Sequence, residues 1–149
     1  MKKKDSSRME EFLKLRSFAI IGVSARKNKF GNIIFKQMLK RGFNIYPIHR
    51  ISMLIDSQPC YPNIASLPER PEGIILVIPP AETEKMVKEL AAEGIKNLWI
   101  QQGAESPQAL KYCSEHGMNV ISKECLLMFL QKPGLFHNFH RWAAGYSHK

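Results

Sequence analysis

Residues 18–31 constrain this chain more than any other stretch. Phe18-Ala19-Ile20-Ile21 is an apolar run short enough for a buried strand. Gly22, Val23 and Ser24 follow, then a loop with Arg26, Lys27 and Lys29, then Phe30 and Gly31, where a helical pattern begins. A strand, a small-residue turn and a helix N-terminus together make a phosphate site. The unpaired amides of the first helical turn and the positive end of the dipole both point at an anion. Gly22 permits a sharp turn, and Gly31 permits close approach of a ligand or a strand. The pattern departs from the dinucleotide fingerprint G-x-G-x-x-G. Ser24 replaces the second glycine, and the third is delayed to Gly31. The basic loop suits a ligand with more phosphate than NAD. The plainer alternative is a surface turn joining a core strand to a helix.

A chain of 149 residues fits one domain with a real core. No apolar run approaches the ~20 residues of a membrane span. Residues 1–8 are polar and charged, without a signal-peptide core, which points to the cytoplasm. Cys60, Cys113 and Cys125 are widely spaced with no C-x-x-C, which argues against a disulfide framework or a zinc site. The net charge of +9 favours anionic partners. It is biased toward the basic loop and Lys36, Lys40 and Arg41 after it.

A short helix is expected over residues 9–15 and another over 32–41, closed by Gly42. Residues 43–48 read as a second strand and residues 49–71 as a long, irregular, Pro-bearing loop. The continuous apolar run Ile74-Ile75-Leu76-Val77-Ile78 fits a strand buried on both faces, and Pro79-Pro80 stops it. A helix with Met86, Val87, Leu90 and Ala91 on one face then ends at Gly94. Residues 97–101 form a fourth strand, 107–116 a helix, 118–122 a fifth strand and 124–130 a short helix. Alternation of this kind predicts an α/β domain with a doubly wound five-stranded parallel sheet. The expected strand order is 3-2-1-4-5, over residues 9–132, with a flexible basic tail before it and an aromatic, His-bearing tail over 133–149. Ligands of such sheets bind outside the strands' C-terminal ends at the switch point. The loops expected there are Gly22-Val23-Ser24, Val77 to Pro80, and Gln102-Gly103-Ala104.

NAD-binding domains end the second strand on an acidic residue that holds the ribose 2′-hydroxyl. Here Ile48 is followed by His49 and Arg50. The missing acid disfavours NAD. A cation there fits a phosphorylated ribose, as in NADP or coenzyme A. An Arg that merely faces solvent is the alternative.

Several pieces, in order, resemble a known family. They are Ile20-Ile21-Gly22-Val23-Ser24, Lys29-Phe30-Gly31, Gly42-Phe43-Asn44-Ile45-Tyr46-Pro47-Ile48, Val77-Ile78-Pro79-Pro80, Trp99-Ile100-Gln101-Gln102-Gly103-Ala104, Gly117 and Cys125. The chain resembles the small stand-alone CoA-binding proteins, similar to the Rossmann-like CoA-binding domain of the succinyl-CoA synthetase alpha subunit. The resemblance implies that coenzyme A is the ligand. It implies that the turn from Gly22 to Ser24 and Lys29 hold phosphates. The loop after strand two would hold the 3′-phosphoribose, and Val77, Ile78 and Pro79 would flank the adenine. The family usually has Asn-Pro, often followed by Lys, where this chain has His49-Arg50. Arg50 can replace the lysine with a bidentate fork, or signal a changed ligand. His49, protonated at mildly acidic pH, would add to it.

Catalytic groups are harder to find. No Ser-His-Asp or Cys-His pairing is legible. Cys125 reads as a small buried hydrophobe rather than a nucleophile, and His116 as a helix-end cap. His137, His140 and His148 invite a metal reading. Leu135, Phe139 and Trp142 form a helical stripe, which favours a docking helix for a protein partner or a second copy. Coenzyme A or acyl-CoA binding without catalysis is the expectation. The alternatives are an NADP-dependent reductase or other dinucleotide-binding protein and, ranked lower, a nucleic-acid binder.

Overall fold

A computed structural model describes residues 3–26, 28–51 and 54–131. The chain runs α1 (Lys3–Leu13), β1 (Phe18–Ile21), α2 (Phe30–Lys40), β2 (Ile45–Ile48), β3 (Leu54–Ile55) and β4 (Gln58–Pro59). It continues through β5 (Gly73–Leu76), α3 (Pro80–Ala92), β6 (Asn97–Gln101), α4 (Pro107–Glu115), β7 (Asn119–Glu124) and α5 (Leu126–Leu130). Five strands form one parallel sheet with helices on both faces, as alternating elements require. Among the described residues, no helix is long and apolar enough to cross a membrane.

Side-chain alternation assigns the two faces. Phe18, Ile20, Ile75, Trp99 and Ile121 point to one layer, where Phe12 of α1, Phe35 of α2 and Phe129 of α5 pack. Ala19, Ile74, Leu76, Leu98 and Ile100 point to the other, against Val87 and Leu90 of α3 and Cys113 of α4. Trp99, wholly buried, donates its Nε1–H to the Glu124 carbonyl at 3.1 Å, so its polar atom is satisfied inside the core. Helices α2, α3 and α4 all end alike. Gly42, Gly94 and Gly117 donate to Leu39, Ala91 and Ser114, and the next residue reaches one carbonyl further back. This is the Schellman arrangement, and the buried Phe43, Ile95 and Met118 that complete it lead toward the next strand.

The strand order differs from 3-2-1-4-5. The sheet runs β2-β1-β5-β6-β7, so the third main strand lies between the first and the fourth. Two residue types explain it. The run at β5 is buried throughout, and a central place pairs it on both sides. Pro47 in β2 has no N–H, and proline is confined to sheet edges. Its carbonyl points outward to the Tyr61 N–H at 3.0 Å, so the missing donor also faces the edge. In the expected order β2 would have had neighbours on both sides.

Two boundaries also differ. α1 begins at Lys3, so residues expected as a flexible tail enter the helix expected from Met9. The loop after β2 is less irregular than expected. β3 and β4 form a hairpin turned by Asp56 and Ser57, both at positive φ, the requirement of a type I′ turn. Two-residue strands are too short for alternation to show in a sequence. The fully buried Ile55 anchors the hairpin, worth about 1.5–3 kcal/mol, and Asp56 meets Lys36 of α2 at 3.6 Å. The C-terminal stripe of Leu135, Phe139 and Trp142, with His137, His140 and His148, lies outside the described residues.

Candidate functional site

Register brings the expected loops to one edge of the sheet. Ile21 pairs with Ile48 on one side and Leu76 on the other, and Leu76 pairs with Ile100. His49, Gly22, Val77 and Gln101 therefore stand in a row at the C-terminal ends of four adjacent strands. At about 4.8 Å between strands, the row spans roughly 14 Å, the reach of an extended nucleotide rather than of one phosphate.

Its centre is close-packed. The Val77 N–H donates to the Ile21 carbonyl at 2.9 Å. Gly22 has φ +124, and a Cβ there would lie 2.1 Å from the Val77 carbonyl oxygen. A Cβ on Gly31 would lie 2.3 Å from the Gly22 carbonyl oxygen. No real contact is that short, so β5, the β1 turn and the α2 N-terminus stack backbone on backbone. Gly31 is expected to allow close approach of a ligand or a strand, and within the chain it is the turn after β1 that it meets.

The N-terminus of α2 has no side-chain cap and no acidic residue in its first turn. Its first helical acceptor, the Lys29 carbonyl, takes the Asn32 and Ile33 N–H groups at 2.9 and 3.3 Å. The Phe30 and Gly31 N–H groups precede any helical acceptor. Arg26 and Lys29 are exposed, and Phe30 is 41% exposed at the mouth of the turn. Lys27 lies outside the described residues. No carboxylate occurs in residues 22–33 or 46–51, so these two stretches carry only positive charge. Val23 is buried beneath the turn.

Sequence reasoning missed Asn32. It is only 4% exposed, and its amide grips Ser24. The Ser24 N–H donates to Oδ1 at 2.9 Å and Nδ2 donates to the Ser24 carbonyl at 2.7 Å. A polar residue among the apolar positions Ile34, Phe35 and Met38 of α2 was the available signal.

At the β2 end, the His49 N–H donates to the Tyr61 carbonyl at 2.9 Å, and Nδ1 accepts the Ile51 N–H at 3.2 Å. Arg50 is exposed. Cys60 lies behind them, its thiol 4.0 Å from the His49 carbonyl and its pKa pushed up by burial. On the β5 side Val77 and Ile78 are half-buried, and the exposed Pro79 caps α3.

The turn after β6 is tied elsewhere. The Gln102 N–H donates to the Glu124 carbonyl at 3.2 Å, and the Gly103 N–H to the Glu105 carboxylate at 3.1 Å. The Lys123 N–H, at a residue with φ +63, reaches the same carboxylate at 3.1 Å. Gln101 is buried and accepts the Leu126 N–H at 3.0 Å, so its side chain serves α5. Gln102 and Gly103 thus bound the row beyond β5, joined to β7. Cys125 is half-buried at the start of α5.

A match to the family described as CoA binding domain covers residues 16–131, from just before β1 to just after α5. The chain belongs to the CoA-binding domain family. Relatives agree with that membership. ADP-forming acetate–CoA ligase I of Archaeoglobus fulgidus is 24% identical over 145 residues, 91% of this chain. The chain spans only 21% of that ligase's length. Among solved structures, a conserved hypothetical protein of Pyrococcus furiosus is 31% identical with TM-score 0.70, over 78% of this chain and 99% of its own. A hypothetical protein of Pyrococcus horikoshii has TM-score 0.78 at 23% identity, over 88% of this chain and 95% of its own, and shares the fold. Membership of the CoA-binding domain family thus rests on a span that takes in the whole sheet.

Proposed function

We propose that this chain is a binding module for coenzyme A or an acyl-CoA, held along the row from His49 to Gln102. The observation that carries the reading is the register of β1 with β2. It sets an uncapped, carboxylate-free helix N-terminus beside a second strand that ends in His49-Arg50 instead of an acid. Family membership supports the same ligand. In this reading the diphosphate lies over Gly22, Val23, Ser24 and the start of α2, with Lys29, Phe30 and Gly31 around it. Arg50 takes the 3′-phosphate, with His49 beside it. Val77, Ile78 and Pro79 face the adenine, and Gln102 and Gly103 close the far side.

Calorimetry with coenzyme A, dephospho-coenzyme A, NADP and NAD tests the reading. Coenzyme A should bind best, dephospho-coenzyme A more weakly, and NAD not measurably. Binding of NADP without binding of coenzyme A would overturn it in favour of a dinucleotide-binding protein.

A further inference from the structure

We propose that Asn32 is the positioning residue that pre-forms the turn for the ligand's diphosphate. The inference rests on the coenzyme A reading above. Asn32 is the third residue of α2, yet its side chain bonds eight residues back, to Ser24. One primary amide meets the N–H and the C=O of one residue, as a neighbouring strand would. Only an amide of this length does both. Aspartate would keep the acceptor and lose the donor. Glutamine would need room for another methylene beside Gly31, which already touches the Gly22 carbonyl.

Two consequences follow for the ligand. The loop between Ser24 and Asn32 is closed at both ends before any anion arrives, so Arg26 and Lys29 are presented from a fixed frame. Holding a loop in its bound form removes an ordering cost from binding. The Ser24 N–H is also spent on Asn32 and is withdrawn from the ligand. The diphosphate is then left to the leading N–H groups of α2, at Phe30 and Gly31, and to the two cations. Ser24 serves the site through its backbone's hold on Asn32, a role different from that of a direct phosphate donor.

The test uses two ligands and two variants. Coenzyme A carries the diphosphate, and adenosine 3′-monophosphate lacks it while keeping the adenine and the 3′-phosphate. Asn32→Ala should weaken coenzyme A by roughly tenfold, because the freed loop must be ordered on binding, and leave adenosine 3′-monophosphate within about twofold. Asn32→Asp, nearly the same shape, should weaken coenzyme A further, because it sets a carboxylate beside the bound anion. That extra loss should shrink as salt is added. Thermal melts establish that each variant is folded, and Asn32→Asp carries the test if Asn32→Ala is not. Unchanged coenzyme A affinity in a folded variant would overturn the inference, as would an equal loss for both ligands, which marks a purely structural residue. A wild-type chain that binds neither ligand would overturn the coenzyme A reading itself.

Discussion

Two glycine-bearing turns stand at the same end of the sheet and are built in opposite ways. At the turn after β1, Gly22 and Gly31 are packed against backbone on every side that matters. At the turn after β6, Gly103 has φ +94 with nothing within 4 Å of where a Cβ would stand. The first pair is glycine because a neighbour occupies the space, although Gly22 also bends the chain at φ +124. The second is glycine because the chain bends there. The difference separates a junction closed by backbone on backbone from a turn with open space around its glycine.

The sharpest way to break this contrast is Gly31→Ala. Glycine to alanine inside a helix ordinarily gains about 1 kcal/mol. Here the new methyl would meet the Gly22 carbonyl, so a loss of about 3 kcal/mol or more is expected. For a chain of this length that is a fall in Tm on the order of 10 °C. A gain in Tm would show that the junction is looser than described.

Arg50→Ala probes the neighbouring position in the row. Coenzyme A affinity should fall by roughly tenfold or more, since a charge-assisted bond contributes about 1.5–3 kcal/mol. Dephospho-coenzyme A should be nearly unaffected in the same titration. Equal small losses for both would make Arg50 a generic positive charge.

Gly103→Ala should cost about 1–2 kcal/mol, from backbone strain without a clash. Chemical denaturation of this variant beside Gly31→Ala measures the contrast directly. Equal costs would erase it.

The smallest effect is expected far from both turns. Glu69 accepts hydrogen bonds from Tyr46 Oη at 2.7 Å and Asn44 Nδ2 at 2.9 Å. These bonds, Tyr46's first, hold its carboxyl below the usual range. Burial and then the carboxylate push the Tyr46 hydroxyl up. A lowered folded pKa stabilises above the unfolded value of about 4.3 and is lost as pH falls through the folded one. Glu69→Gln should therefore cost a few tenths of a kcal/mol at neutral pH, because the pair is exposed. The difference from wild type should shrink in melts as pH falls below the unfolded value of about 4.3 and vanish once the folded carboxyl is protonated too, with coenzyme A affinity unchanged throughout.

Most of the architecture was legible because its signals are local. Apolar runs at β1, β5 and β6, and glycines one residue past three helices, mark the elements without tertiary knowledge. Strand order was misread although Pro47 carried the needed information. Its meaning depends on which side of β2 the missing N–H faces, and that is a property of pairing. The hairpin at residues 54–59 was missed because two-residue strands have no period. At the site, the glycines and cations were readable as residue types in sequence. The Asn32 grip was not, since a polar residue on an apolar helical face shows its purpose only once Ser24 is seen opposite it.

Pro47 has a consequence beyond strand order. The rim of an open sheet is a template on which a second molecule can lay a strand, and repetition of that step builds fibres. On this rim one donor is absent altogether. Just past that gap, Tyr61 already occupies the Pro47 carbonyl and the His49 N–H. On the opposite rim, the Arg8 guanidinium takes the Val120 carbonyl at 2.8 Å. An incoming strand therefore finds broken or occupied positions on both rims. Pro47→Val would restore the missing donor and improve β2 as a strand, and in doing so would open this rim to self-templating.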